Sequence, residues 1–259
     1  MVSYFQNRIK MKLIVAFLAL FLSLNIAVAQ DVNALIAEGQ KLETALNEVA
    51  AFSKFKEALK IAPQNLIALT RCSEICSSIG NKESSKDSRD NYYQAALIYA
   101  QTAIKLYPDN DLSNVSMAIA MGRMALTKSG KEKIASVKDL KMYAEKAIKA
   151  NGNNFKAWHI LGKWHYEVSS LSSFERGAAK LLFGALPPSS FSNAILCYEK
   201  ARTLNSNFIL NFLELAKAYK KTNNVVKAKE ILIAMQNIKN NAADDVRIKE
   251  EGKVLLAKL

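Results

Sequence analysis

AFSKFKEALKIAP, residues 51–63, is the stretch on which the fold turns. Ala51, Phe55 and Ala58 recur at spacings of four and three, which is one face of an α-helix, and Pro63 ends that helix. Alanine at two of the three positions leaves room for another backbone to approach closely. Twelve residues before Ala51, Gly39 offers a second bare patch, flanked by Leu35 and Leu42 as large positions of a preceding helix. Together they describe two antiparallel helices crossing at short range, with Val32 as the first residue of the pair. The phrase returns in Ala96, Ala100, Ala103 and Pro108, after Leu69 and Cys72. It returns again in Leu140, Ala144, Ala147 and Gly152, after Met117, Ala118 and Met121. A fourth copy reads Trp158, Leu161 and Gly162, then Ala194, Tyr198 and Ala201. A fifth reads Phe212, Leu215, Ala216, Tyr219, Ala228, Leu232 and Met235. Residues 243–258 read as one polar-faced helix closing the stack, as terminal units of repeat arrays do.

A helix pair of 34 residues with proline after its second helix resembles the tetratricopeptide (TPR) repeat. The expectation is an all-α, right-handed α-solenoid of about five TPR-like helix pairs with a capping C-terminal helix. The units fall at about 32–65, 66–110, 111–154, 155–208 and 209–242, with the cap at 243–258. Equivalent positions Ala58, Ala103, Ala147, Ala201 and Met235 are 45, 44, 54 and 34 residues apart. The excess in the second and third units lies in the polar stretches Asn81–Asp90 and Lys128–Ser136, as lengthened turns or helix extensions. The excess in the fourth is of another kind. SSLSSFERGAAKLLFGALPPSS, residues 169–190, is apolar and basic, and predicts a short amphipathic helix over about 173–183, ended by Gly184 and Pro187-Pro188.

Composition agrees with helices. Of 259 residues half are hydrophobic, and only nine are Gly and four Pro, which excludes a disordered chain and a loop-rich β-sandwich or barrel. Three cysteines make no disulfide framework; Cys72 and Cys76, four apart, read as small buried hydrophobes. Arg8, Lys10 and Lys12 precede the apolar run Leu13–Ala29, and Ala27-Val28-Ala29 is a cleavage-like motif. Residues 1–29 therefore read as a secretory signal peptide delivering the chain across an inner membrane, to a periplasm. The alternative is an uncleaved anchor, the only membrane contact expected. Met11 is a second possible start.

The densest motif is Leu161-Gly162-Lys163-Trp164-His165-Tyr166-Glu167-Val168-Ser169-Ser170-Leu171-Ser172, followed by Phe174-Glu175-Arg176, Ala178-Ala179, Leu182-Phe183-Gly184 and Pro187-Pro188-Ser189. It resembles the signature of the regulator of microtubule dynamics family, and the long second and third units are similar in layout. The likeness spans about residues 35–235. Where that family usually has Trp, this chain has Ser173, with Phe174 beside it. The resemblance implies a TPR-like helical domain used for binding, often behind an N-terminal membrane-directed segment.

Enzyme chemistry finds little footing. No phosphate-cradling glycine loop, zinc-protease helix or nucleophile elbow is present. His159 and His165 lie six residues apart, about 240° around a helix, and cannot share a metal. Asp109-Asn110-Asp111 fails as a calcium loop, because Asn114 and Ala120 fall at its sixth and twelfth positions. The expectation is a binding scaffold, not an enzyme, with no cofactor and no metal. In such stacks the first helix of each pair lines a concave groove, and here its residues turn basic along the chain. Arg123, Lys156, His159, Lys163, Lys217, Lys220 and Lys221 form the candidate groove, suited to an acidic protein or peptide partner. Nucleic acid is not expected, since the lysines lack interleaved arginine and aromatics. The alternative is a carrier of a lipid or other apolar ligand, with the 169–190 insert lining the pocket. The insert supplies a second candidate surface: Phe174 and Phe183 as anchors or ligand contacts, Arg176 and Lys180 facing an anion, and Glu175 orienting one of them. Arg176 has a structural alternative, pairing with Glu167.

Overall fold

Asparagine and serine start the helices. The side chains of Asn47, Asn65, Asn154 and Asn224, and of Ser190, each accept a hydrogen bond from the backbone N–H three residues on, at 2.9–3.2 Å. Such bonds satisfy one of the orphan donors of a helix N-terminus. The computed structural model describes residues 31–183 and 187–259, and the 1–29 leader and Gly184 lie outside them. Among the described residues, twelve helices follow in order: α1 (31–44), α2 (Glu48–Ile61), α3 (Leu66–Lys82), α4 (Lys86–Leu106), α5 (Asp111–Thr127) and α6 (Gly130–Ala150). Then come α7 (Phe155–Ser170), α8 (Ser173–Phe183), α9 (Phe191–Leu204), α10 (Ile209–Lys221), α11 (Val225–Gln236) and α12 (Asp245–Leu256).

No strand occurs among the described residues, and the fold is an all-α solenoid of TPR-like helix pairs. α3 packs on α4, α5 on α6, α7 on α9 and α10 on α11, with α12 closing the stack on α10 and α11. The small residues do what their size suggests. Ala51, Ala58, Ala96, Ala103, Ala144, Ala147, Ala194 and Ala201 are fully buried at the crossings. Gly162 lies so close to α9 that a Cβ there would stand 2.8 Å from the ring of the fully buried Tyr198.

The surplus residues of the second and third units are helix, not loop. α4 and α6 each run 21 residues, against 14 in α2 and α9. Ser85 caps α4 early, and the added turns bury Tyr93 beneath Gly80. Turns are tied to one another as well: Asp111, at the start of α5, accepts from Asn151 at 2.9 Å and Asn154 at 2.8 Å, both in the turn that leads into α7.

Candidate functional site

Curvature brings distant helices onto one charged face. Lys156 of α7 reaches past α5 to Glu74 of α3, 2.5 Å away and 82 residues earlier. That contact requires the face of first helices to be the inside of the curve. Glu74 also accepts from Arg71 at 2.8 Å, and Arg71 pairs with Glu43 of α1. Burial pushes the Glu74 carboxyl up, but Lys156 and Arg71 outweigh it and hold it below its ordinary range. Glu43, paired with Arg71, stays raised by its burial.

A second network lies between α7, α10 and α12. Glu214 of α10, 5% exposed, accepts from Lys163 on one carboxylate oxygen at 2.7 Å and from Lys217 on the other at 3.0 Å. Lys163 also pairs with Glu167 at 2.9 Å, and Lys217 with Glu251 of α12 at 2.7 Å. Burial raises the Glu214 carboxyl, yet the two ammonium groups bring it below the ordinary carboxylate range. Both lysines, opposed by desolvation, are raised by that carboxylate. Arg123 of α5 donates to Asn81 at 3.0 Å and lies 6.0 Å from the Tyr93 ring. Lys220 and Lys221 are exposed and carry no ion pair among the described residues.

His159 departs from its place among the groove cations. It is buried, its Nδ1 stands 3.0 Å from Asn211 Oδ1, and its ring packs on Phe208 and Tyr198. Burial lowers its pKa, so it is a neutral packing residue near pH 7. His165 sits on the other side of α7, near Lys141 and Glu145, and is lowered by burial too. Sequence reasoning missed Glu214 and Glu251. The available signal was Glu214 three residues before Lys217, the spacing of neighbours on a helix.

The insert forms α8, which packs against α6. Phe174 and Leu181 point outward, 85% and 88% exposed, while Ala179 is buried. Glu175 and Ser172 form a capping box: Glu175 accepts from the Ser172 N–H at 2.8 Å, and Ser172 Oγ accepts from the Glu175 N–H at 3.2 Å. Arg176 does not take Glu167, which belongs to Lys163. It donates to the carbonyls of Val168, Ser169 and Leu171 at 3.3–3.4 Å, closing the C-terminus of α7. Lys180 is exposed, and the Phe183 side chain lies outside the described residues. Among the described residues no group of three His, Cys, Asp or Glu is placed to hold a metal ion.

The model of the family described as "Regulator of microtubule dynamics protein 1-3" matches residues 30–259. This chain belongs to the regulator of microtubule dynamics family. It is 29% identical over 180 residues to regulator of microtubule dynamics protein 1 of Mus musculus, covering 69% of this chain and 59% of that one. Against the Homo sapiens protein 1 it is 29% identical over 162 residues, covering 62% and 52%. Protein 3 of Rattus norvegicus matches at 26% over 163 residues, covering 61% of this chain and 35% of that one. The chain thus spans roughly half the length of the mammalian protein 1 relatives, and less of protein 3. Among solved structures, a thermophilic TPR protein of Thermus thermophilus superposes with a TM-score of 0.62 at 15% identity, covering 87% of this chain and 99% of that one. PilF of Pseudomonas aeruginosa gives 0.54 at 14% identity, covering 90% of each. Both likenesses show the TPR-like fold.

These relatives correct the expectation of a secreted, periplasmic protein. They are animal proteins named as regulators of microtubule dynamics, not as secreted proteins. A short basic and apolar leader reports local composition, and composition alone misread the compartment.

Proposed function

We propose that this helical-repeat scaffold holds an acidic peptide segment of a protein partner along its concave face. The observation that carries the reading is the charged lining itself. Lys156, Lys163 and Lys217 are held on the first-helix face by carboxylates, Arg123 of α5 lies against Asn81 and Tyr93, and Lys220 and Lys221 carry no ion pair among the described residues. A chain of charge +13 adds a long-range attraction for acidic partners. The exposed Phe174 and Lys180 on α8 offer a second contact outside the groove. Phe174 turned to solvent gives no support to an enclosed apolar pocket, so the protein-partner reading is preferred to the lipid carrier.

The direct test is fluorescence anisotropy with labelled hexaglutamate and hexaglutamine peptides between 50 and 300 mM salt. Hexaglutamate should bind, and weaken as salt screens the groove, while hexaglutamine should not. Equal binding of the two, or none by either, defeats the reading. The relatives' name adds a whole-partner test, co-sedimentation with polymerised tubulin, in which the chain should pellet at low salt and be released at high salt.

A further inference from the structure

The second ion network has an asymmetry that a partner can use. Glu214 is buried and spends both its carboxylate oxygens on two different lysines, Lys163 and Lys217. It cannot leave without stranding two ammonium groups, and among the described residues its own charge pairs with these two lysines alone. The remaining carboxylates are of another kind. Glu167, the second partner of Lys163, is 58% exposed along its side chain, and Glu251, the second partner of Lys217, is 44% exposed. Solvated pairs of this type are weak, because water competes and two long side chains must be ordered. Two ammonium groups are thus fixed by an interior carboxylate, and each has one coordination position filled by a loosely held surface carboxylate.

Resting on the groove reading above, we infer that Lys163 and Lys217, positioned by Glu214, form a two-lysine seat for a pair of acidic side chains. Its resting occupants are Glu167 and Glu251 of this chain. A partner's Asp or Glu residues bind by replacing these two, while Glu214 keeps both lysines charged and in place. The exchange trades one ion pair for another at each lysine, so the number of paired charges in the groove is unchanged. Glu251 also makes the capping helix part of the seat: α12 carries Arg247, 3.9 Å from Glu251 and 3.3 Å from Asp244, which receives Glu251 when Lys217 lets it go. Affinity for an acidic partner is set by how well this chain's own carboxylates compete.

Isothermal titration calorimetry with hexaglutamate tests the exchange. The double variant Glu167→Gln/Glu251→Gln alters only exposed side chains and should tighten binding by about 2- to 30-fold, the combined worth of two solvated pairs. The same charge change at Glu57 and Glu230, which pair with Lys54 and Lys227 elsewhere, should leave binding within about twofold. The triple variant Lys163→Gln/Lys217→Gln/Glu214→Gln removes the seat without leaving a buried charge, and should weaken binding at least about tenfold. Binding by the wild type that is unchanged or weakened in the Glu167/Glu251 double, equally tightened in the Glu57/Glu230 control, or retained in full by the triple variant overturns the exchange seat and leaves the groove reading standing. Failure of the wild type and every variant to bind hexaglutamate sinks both.

Discussion

A glycine-to-alanine change has opposite consequences at two helical sites in this chain, and the comparison isolates the close crossing on which the repeat depends. At Gly162 of α7, a new Cβ meets Tyr198 ring atoms at 2.8 and 2.9 Å and the Cys197 Cβ at 3.2 Å. Tyr198 has nowhere to go: it is fully buried, with His159 packed on its ring. At Gly177 of α8, nothing lies within 4 Å of a new Cβ. Both substitutions gain the same helix propensity, about 1 kcal/mol over glycine. Subtracting one from the other leaves the steric cost. Gly162→Ala should be less stable than Gly177→Ala by about 1–3 kcal/mol, the usual cost of overpacking. For a chain of this size that is a gap of roughly 2–4 °C in Tm per kcal/mol. Urea titration followed by circular dichroism gives the free energies directly. Stabilities within about 0.5 kcal/mol of each other would refute the close helix crossing at Gly162.

Other outcomes follow from single features. Leu46 has φ of 60°, a left-handed conformation that asparagine tolerates far better, so Leu46→Asn should raise stability by about 1 kcal/mol; a lower urea midpoint contradicts the strain. Arg176→Ala removes the donor closing α7 and should cost about 0.5–1.5 kcal/mol without changing hexaglutamate affinity; a stable variant with weakened binding would move Arg176 to the partner surface. His159 and His165 both have pKa values lowered by burial, so the unfolded chain binds their protons first. Stability should be complete above about pH 7 and fall as pH drops through the unfolded value near 6.5, by up to about 1.4 kcal/mol per pH unit for each histidine. A urea midpoint constant from pH 7.5 to 5.5 defeats this.

The helix pairs were legible because the signal is local. Alanines and glycines at spacings of three and four mark a crossing whatever lies elsewhere, so Ala51, Ala58, Gly162 and Ala201 carry their meaning with them. The polar stretch 81–90 was not decidable between turn and helix. Its helical state rests on the Ser85 cap and on Tyr93 finding Gly80, a tertiary contact. The groove cations were visible as residues, but their pairing was not. Lys156 meets Glu74 across 82 positions, and Lys163 meets Glu214 across 51, distances set by superhelical curvature rather than by any local pattern. In the insert, apolar content suggested burial. Phe174 and Leu181, seven apart, share one helix face, and that face is the one turned to solvent.

Hydrogen–deuterium exchange of the chain with and without hexaglutamate tests the central claim, that the concave face of a TPR-like stack is where an acidic partner lies. Protection should appear in 156–167 of α7 and 209–221 of α10, and along α3 near Arg71 and Glu74, with the outer helices α2 and α9 unchanged. Protection confined to α8, to the outer helices, or absent at saturating peptide would contradict it.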